Sequence, residues 1–517
     1  MKRIIALLLC VLMLLSVMAG CAKTSESTQT EQPAAQQPAT SDKADDTTAA
    51  EEPTAEPVKL RLFLYGDSTE RRDEYFEHDF HDKILEELNI DFSIEWMPWS
   101  EYGAGGSVIA NMLASGEAFA FENIMTVNNW HTKGYEAVLS EDDIQTYMPD
   151  YLTARGENNG FECCKFNDSI YCIPIGSKAY AGAHQCITVR NELLNEAGWD
   201  YTDVHTYEDF IAAMEAVKEI HPEMTIMRGA DSLRYALAST LVDGWSCAYR
   251  ADEFVFVNES EDSDTVYSYY ESEQFKQFCY LMQDWVERGW QTQDVITNPG
   301  QQEADWYAGN AITMYGVAGN LIETAVKSGC PDADLKTIKI GDQPYIKDKD
   351  YDWGISISAA DADHVTDWMR LINWIYASQD NYNFCVYGVQ GKDWQYAEDG
   401  TIEKLVDDAF WDDWFLQSAN YVQYDASIPQ ENIDTYMNWD EGSKVSKLSG
   451  FVFDASAVQT EVALLTAVQT EYLDAMILGF LDYDTNYEDV LAKLKNAGID
   501  TYLAEYQRQY SEWRAAQ

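Results

Sequence analysis

Apolar and polar residues alternate along several short segments of this chain, and stretches with helical periodicity separate these segments. Residues 58–65 are apolar at alternate positions and then continuously, which predicts a buried strand ending before Gly66 and Asp67. Residues 90–96 alternate again, and residues 120–126 form a third apolar run. Strands and helices in this order predict an α/β fold whose parallel sheet is connected by crossover helices.

The same mixture of patterns continues towards the C terminus. The further strands predicted are 169–175, 185–190, 311–316 and 353–358, and the further helices are 191–197, 207–220, 272–288 and 366–377. Thr206 and Asp209 have the spacing of a capping box at the start of one of these helices. The apolar stretch 462–481 is interrupted by polar and charged residues, so we interpret it as a core-facing helix and not as a membrane span.

The N-terminal segment has the layout of an export signal. Lys2 and Arg3 precede the apolar residues 4–17, a run that is too short and wrongly flanked for a spanning helix. The ending Met-Ala-Gly-Cys at 18–21 resembles the lipobox of bacterial lipoproteins, in which the cysteine is lipidated. We therefore expect residues 1–20 to form a signal peptide and Cys21 to carry lipid. The alternative is an ordinary signal peptide in which Cys21 has no role.

A polar segment follows the cysteine. Residues 22–57 are rich in Ser, Thr, Gln, Ala, Glu, Asp and Pro and contain no aromatic residue, so they cannot bury enough apolar surface to fold. We expect residues 21–57 to be a lipidated, disordered tether, with a root-mean-square span of roughly 30–35 Å. A diacylated cysteine anchors stably, which predicts an extracytoplasmic protein attached to the outer face of the cell membrane.

The charge and the cysteine content of the chain argue against some classes of partner and metal site. The formal charge is −55, so nucleic acid is an implausible partner, because phosphate binding needs basic surface. Eight of the ten cysteines remain beyond Cys10 and Cys21, and one or two disulfides are as plausible as none. Neither regular CxxC spacing nor a His-rich segment accompanies them, so we expect no metal centre built on cysteine.

Three groups of motifs, in a fixed order, carry a resemblance to a known family. They are 187–199 with 206–210; 353–358 with 374–376 and 387–391; and 450–454 with 471–472, 494–500 and 505–509. Behind a lipobox and a tether, this order resembles the extracellular solute-binding proteins of ABC transporters, family 1, and especially the large lipoproteins associated with oligosaccharide uptake. Gln390 stands where that family often has Glu.

The resemblance implies a periplasmic-binding-protein-like fold of type II, with two α/β lobes that close around a ligand like a clamshell. Lobe 1 would comprise 58–184 plus 354–449, and lobe 2 would comprise 185–353 plus 450–517. The hinge crossings would lie near 183–186, Gly354 and Gly450. The implied function is non-catalytic: a monomer captures an oligosaccharide and delivers it to a membrane permease. No cofactor is expected; related lipoproteins sometimes carry a structural calcium ion, whose ligands cannot be placed here.

Candidate ligand-binding residues follow from strand ends and from the chemistry of sugars, whose C–H faces stack on aromatic rings. They are Asp67, Asn128, Trp130, Tyr180, Trp245, Tyr315 and Trp353. Ligands of open α/β sheets bind beyond the carboxyl ends of strands, where the first three of these residues fall. Tyr315 corresponds, by the resemblance, to an aromatic residue that lines the cleft, and Trp353 lies at the implied hinge. Core packing is the alternative role for the aromatic residues, and a helix cap is the alternative for Asp67.

Other functions stay open at this point. The chain could bind a peptide or another small polar solute, or act as a surface adhesion module. It could also be a secreted carbohydrate-active enzyme, but the 89 acidic residues make a carboxylate pair uninformative. The chain contains no GxSxG elbow, HExxH helix or P-loop.

We predict that Cys21 serves only for membrane attachment and that the folded body alone binds solute. Replacing Cys21 with Ala tests this prediction. We expect this variant to be released into the medium while its solute binding is unchanged, because lipid would be lost but the folded body would not be altered. Fractionation of cells and medium, followed by a binding assay on the released protein, checks both parts. Loss of binding in the released protein would contradict the prediction.

Overall fold

The computed structural model describes most of the chain beyond the predicted tether. The described residues are 56–98, 102–124, 130–156, 160–166, 168–175, 186–227, 254–259, 261–297, 301–316, 330, 332–341, 346–347, 353–398, 400–406, 408, 410–411, 416, 418, 421–424, 428–438 and 441–516. The predicted signal peptide, the lipidation site at Cys21 and nearly all of the tether lie outside these residues.

Sixteen strands and seventeen α-helices are assigned in the described residues. The strands are β1 Val58–Tyr65, β2 Ile90–Met97, β3 Ala120–Ile124, β4 Lys165–Phe166, β5 Ser169–Ile170, β6 Cys172–Pro174, β7 Ile187–Arg190, β8 Val255–Val257, β9 Val266–Ser268, β10 Thr313–Tyr315, β11 Leu335–Ile338, β12 Ile346–Lys347, β13 Trp353–Ile357, β14 Trp394–Tyr396, β15 Ile402–Lys404 and β16 Lys444–Val445. The helices are α1 Glu70–Glu74, α2 His81–Leu88, α3 Tyr102–Ser115, α4 Glu141–Tyr147, α5 Pro149–Arg155, α6 Asn191–Glu196, α7 Tyr207–Ile220, α8 Glu273–Glu287, α9 Asp294–Thr297, α10 Gln301–Tyr307, α11 Val365–Ile375, α12 Gln379–Tyr387, α13 Gln430–Met437, α14 Gln459–Val468, α15 Asp474–Ile477, α16 Tyr483–Ala497 and α17 Ile499–Ala516.

The first sheet has the strand order β2-β1-β3-β13-β6. β1 is parallel to β2 and to β3, as the sequence predicts. β13 is antiparallel to both of its neighbours, so the parallel arrangement predicted from the first three strands does not extend to β13. The physical reason is that β13 follows a long excursion of the chain and not a single crossover helix, which is what fixes the direction of a parallel strand.

Strand β1 is buried on both faces of this sheet, which explains its nearly continuous apolar sequence. Leu62 and Leu64 are fully buried in one core, together with Ile355 of β13. Phe63 and Tyr65 point to the opposite face and belong to a separate cluster that includes Phe121, Trp130 and residues of α3. Layers therefore cover both sides of the second half of the strand.

A second sheet, of order β10-β7-β11, supports a separate apolar core. Ile187 and Val189 of β7 are fully buried in this core, together with Phe210 of α7 and Trp285 of α8. The C-terminal helices complete the core, with Tyr502 and Tyr510 of α17 fully buried. The second core is thus assembled from segments that are far apart in the chain.

The chain passes between the two cores three times within the described residues. Residues of the first core lie within 60–175 and 355–416, and residues of the second lie within 187–340 and 448–510. Helix α13 lies in the third connection and contacts the second sheet, because Asn432 Nδ2 donates to the Leu335 carbonyl oxygen at 2.8 Å. The residue boundaries of the two lobes stay a prediction.

Several local predictions are confirmed in detail. Helix α7 starts with the predicted capping box: Thr206 accepts from the Asp209 backbone N–H, and Asp209 accepts from the Thr206 backbone N–H. The apolar stretch 462–481 is helical as far as Ile477, as α14 and α15 joined by a π-helical segment, Gln469–Leu473. Within the described part of the chain, no helix is both long and apolar enough to span a bilayer.

Six cysteines in the described part of the chain form no disulfide bond. They are Cys164, Cys172, Cys186, Cys279, Cys330 and Cys385. Burial raises the pKa of the Cys186 and Cys385 thiols well above the usual range, so both are inert packing residues at neutral pH.

A buried ion pair connects α1 to the loop before β14. Arg71 Nε donates to Asp393 Oδ1 at 2.7 Å, and Arg71 Nη2 donates to Asp393 Oδ2 at 2.6 Å. The Asp393 side chain is 0% exposed, and it also accepts from the Val389 backbone N–H at 2.7 Å. This hydrogen bond to Asp393 raises the pKa of Arg71 further above its ordinary value.

Replacing Asp393 with Asn should therefore destabilise the first core. The substitution removes the fully buried countercharge of Arg71 and leaves the more exposed carboxylates of Asp79 and Glu74 as its partners. Loss of one partner of a buried pair costs up to about 3–5 kcal/mol. Glu74→Gln is the matched control, since Glu74 pairs with the same arginine from a side chain that is 51% exposed. We expect the control to cost less than about 1 kcal/mol. Urea unfolding followed by tryptophan fluorescence measures both; equal losses would contradict the assignment.

Candidate functional site

One edge of the first sheet collects the ends of several strands. β1 and β3 end there, at Tyr65 and Ile124, because the two strands are parallel. β13 runs in the opposite direction and therefore begins at this edge, with Trp353 paired to Ile124. β6 is antiparallel to β13 and ends there at Pro174. The predicted residues Asp67, Trp130 and Trp353 thus follow or begin strands at a single edge.

One edge of the second sheet is connected directly to this first edge. β10 ends with Tyr315 and β11 ends with Ile338, and both residues pair with Ile187, where β7 begins. One connection runs from the end of β6 to the start of β7, and another runs from the end of β11 to the start of β13. Because both connections join the same two edges, the strand ends carrying the candidate residues flank the crossings between the cores.

Asp67 lies at the first edge, directly after β1. Its side chain is exposed, and its backbone carbonyl accepts from Arg72 Nη1 at 2.9 Å. The preceding residue, Gly66, continues the ladder by donating its N–H to the Met97 carbonyl at 2.8 Å. The helix after it is capped by Thr69, which accepts from the Arg72 N–H, so the alternative role of Asp67 as this helix's cap does not apply.

A buried guanidinium holds the Asp67 loop in place. Arg72 is 4% exposed, and its guanidinium carbon lies 3.6 Å from the centroid of the Trp96 ring. Arg72 Nε donates to the Phe410 carbonyl oxygen at 3.0 Å, while Nη1 holds Asp67. One planar side chain therefore connects the loop after β1, an aromatic ring near the end of β2 and the segment 410–411.

Trp130 lies deep beneath the same edge. It is 4% exposed, and its ring meets Phe121 edge to face with centroids 5.2 Å apart. Core packing, the alternative considered from sequence, accounts for this environment, and the stacking role of Trp130 stays a prediction.

A polar network buried below the edge ties β3 to β13 and to the segment after Trp130. Asn123 Nδ2 donates to Glu136 Oε1 at 2.8 Å and to Ser356 Oγ at 3.0 Å. The His131 ring lies beside the same carboxylate, with Nδ1 3.6 Å from Glu136 Oε2, and packs against Phe166. The network fixes the backbone at both ends of 125–129, the segment that contains the predicted residue Asn128.

Tyr315 is half-buried at the end of β10 on the second edge. Its ring packs partly against the second core and partly against a small cluster that includes Trp306 and Leu335. Gly316 follows, donating its N–H to the Cys186 carbonyl at 2.9 Å and accepting from Thr188 Oγ1 at 2.8 Å. The tyrosine is thereby held on a rigid strand end with part of its surface open.

The remaining candidates lie outside the described residues or are described only in part. Asn128, Tyr180 and Trp245 are not among the described residues, and the description of Trp353 covers its backbone alone. In the described residues, no group of three or more His, Cys, Asp or Glu side chains is arranged to hold a metal ion. The structural calcium ion that related lipoproteins sometimes carry is therefore not placed in this chain.

Sequence reasoning missed the residues that support the edge, Arg72, Trp96, His131 and Glu136. Period-2 alternation along β2 did contain a signal for Trp96, because it places this ring on the same face as Ile94. For Arg72 there was no local signal, since paired arginines at the start of a helix usually face solvent.

The close contact between Gly66, Arg72 and Trp96 generates a prediction. A Cβ atom on Gly66 would lie 2.9 Å from Arg72 Nη1 and 2.9 Å from the Trp96 ring, so the buried Arg72 or the half-buried Trp96 would have to shift. Gly66→Ala should cost about 1–3 kcal/mol, as overpacking does elsewhere. Gly106→Ala, in α3, is the matched control, because no heavy atom lies within 4 Å of its Cβ position. Calorimetric melting distinguishes the two, and a neutral Gly66→Ala would refute the packing argument.

Comparison with known proteins extends the resemblance over almost the whole chain. Residues 447–515 match the family described as a domain of unknown function, DUF3502. A carbohydrate ABC transporter substrate-binding protein of Streptococcus pneumoniae serotype 4 is 23% identical over 475 residues, which cover 88% of this chain and 90% of that protein. Substrate-binding proteins of this class bind solutes and do not catalyse reactions.

Solved structures share the fold. The N-glycan transport solute binding protein of Streptococcus pneumoniae, in complex with Man1GlcNAc, superposes with a TM-score of 0.70 at 19% identity, covering 88% of this chain and 99% of that one. An HMO-binding solute binding protein from Bifidobacterium longum infantis superposes with a TM-score of 0.58 at 12% identity, covering 88% and 99%. The predicted fold class is therefore confirmed, because the chain shares the two-lobed fold of these solute-binding proteins.

Proposed function

We propose that this protein captures a carbohydrate, and specifically an oligosaccharide, outside the cytoplasm and delivers it to the permease of an ABC importer. The observation that carries the proposal is the relationship over 475 residues to a carbohydrate ABC transporter substrate-binding protein. A match of this extent includes both cores and all three connections between them. It therefore involves the whole binding unit and not a shared accessory segment.

The geometry of the two edges supports the same function. Closure of two lobes around a ligand requires binding groups on both sides, and a ligand shifts the equilibrium only if it binds the closed state better. In this proposal Asp67 supplies a carboxylate for sugar hydroxyls from the first edge, and Tyr315 supplies a ring face from the second. Asn128, Trp130, Tyr180, Trp245 and Trp353 complete the proposed set.

The proposal includes attachment to the membrane. Lipid on Cys21 would hold the protein beside its permease, and the polar tether would let the folded body move. The net charge of −55 keeps such a body soluble and discourages association with anionic surfaces.

A thermal-shift screen over purified solutes tests the ligand class. The panel should include mannose-containing N-glycan fragments, milk oligosaccharides, fructans, alginate oligomers and short peptides. A bound ligand present at 100 times its Kd stabilises the native state by about 2.7 kcal/mol. Mass spectrometry of the recovered ligand should show it unchanged. A shift with peptides and with no carbohydrate would overturn the carbohydrate assignment.

The role proposed for Asp67 can be tested with whichever oligosaccharide gives a shift in that screen. Asp67→Ala should weaken binding about tenfold or more, corresponding to about 1.4 kcal/mol, because a carboxylate hydrogen bond to the sugar is lost. The melting temperature of the free protein should change little, since this side chain is exposed. Glu86→Ala, which removes an exposed carboxylate from α2, controls for net charge. Titration calorimetry measures both; equal affinities would remove Asp67 from the site.

A further inference from the structure

A lysine ammonium group lies among backbone carbonyl oxygens in the loop 258–264, which connects β8 to β9. Lys447 Nζ donates to the carbonyl oxygens of Asn258 at 3.1 Å and Ser263 at 3.0 Å, and also to that of Glu261. An ammonium group has three N–H donors, so three carbonyl oxygens match its hydrogen-bonding capacity. The three oxygens, from Asn258, Glu261 and Ser263, therefore surround one positive charge.

The loop has the character of a cation site. Four of its seven residues are acidic, namely Glu259, Glu261, Asp262 and Asp264. Backbone carbonyl and carboxylate oxygens are the ligands that hard cations such as Ca²⁺ take in proteins. The carboxylate of Glu261 is turned back into the loop, where it accepts from Tyr267 Oη at 2.8 Å, so the backbone oxygens face the ammonium group.

Lys447 is also held through its backbone. The Glu259 carboxylate accepts from the Lys447 N–H at 3.1 and 3.2 Å and from Ser446 Oγ at 2.8 Å. Tyr510 of α17, which is fully buried, donates its hydroxyl to the Lys447 carbonyl oxygen at 3.0 Å. The loop therefore binds Lys447 at its backbone N–H and its ammonium group, and the C-terminal helix binds it at its carbonyl oxygen.

Lys447 lies close to the third connection between the two cores. Strand β16 ends at Val445 and pairs with β12 in the neighbouring connection. Leu448, directly after Lys447, is buried in the second core. The lysine thus lies where the third connection enters the second core.

We propose that Lys447 is a built-in cation, which fills an oxygen-lined cation site in loop 258–264 and thereby fastens β16 to the second core. The site would accept a small cation, either one that carries N–H donors or a hard metal cation. It uses the covalently attached ammonium group in place of a free ion. The proposal goes beyond solute capture and does not depend on which solute is bound.

Chemical rescue of a truncated lysine tests the site. Lys447→Ala removes the ammonium group and leaves its space open, and hydrogen–deuterium exchange of 254–268 and 441–451 should accelerate about tenfold or more. Methylammonium should reverse this change with a saturable dependence on concentration. Tetramethylammonium at equal ionic strength should not reverse it, because it has no N–H donor.

Two control variants separate the site from general effects. Lys447→Met fills the space with an uncharged side chain, so it should show the faster exchange without rescue by methylammonium. Lys444→Ala removes an exposed lysine three positions away and should leave the exchange of both segments unchanged. Wild-type exchange in Lys447→Ala, or rescue of Lys447→Met to the same extent, would overturn the proposal.

The wild-type protein provides a test that requires no variant. Reductive methylation should modify Lys447 at least about tenfold more slowly than Lys444, because all three N–H donors of Lys447 are engaged. Tryptic mapping by mass spectrometry gives both rates in one experiment. Equal methylation rates for Lys447 and Lys444 would show that the Lys447 ammonium group is not held by the three carbonyl oxygens. This result does not depend on whether the alanine variant folds.

Discussion

Two apolar cores that share no residue are the constraint on which the described structure depends. Each core is completed by segments far apart in the chain, so the chain has to leave one core and enter the other repeatedly. Backbone that passes from one core to the other has to leave both sheets, and its buried peptide groups then need other hydrogen-bond partners. Strand ends are therefore brought together next to the connections, and polar side chains concentrate there without disturbing either core.

Polar contacts add to the apolar packing that holds the strand ends and the connections. Arg72 links the Asp67 loop to Trp96 and to the Phe410 carbonyl, and Asn123 links Glu136 to Ser356. Lys447 does the same for loop 258–264. Hydrogen bonds are directional, so such contacts fix the geometry of a strand end, whereas apolar contacts mainly exclude water. Ligand-binding groups at those ends gain precision from this arrangement.

The sequence predicted most of the elements, and it predicted them where the signal is local. Alternation revealed β1, β2 and β3, and the capping box at Thr206 revealed the start of α7, because each pattern is complete within a few residues. The sequence did not predict the direction of β13, since it depends on a partner more than 200 residues away in the chain. The candidate site was likewise predicted only in part. Strand ends pointed to Asp67, but nothing near Arg72 in the sequence marks it as a buried residue that holds the Asp67 carbonyl.

A cation supplied by the chain differs physically from a bound ion. A free ion occupies its site only when its concentration exceeds its Kd, so a loop held by calcium or sodium would loosen as the medium changes. A covalently attached ammonium group has an effective local concentration set by the chain, which does not vary with the medium. For an extracytoplasmic protein this difference matters, because external ion levels are not controlled by the cell. The connection at β16 would then keep the same geometry in dilute and in saline surroundings.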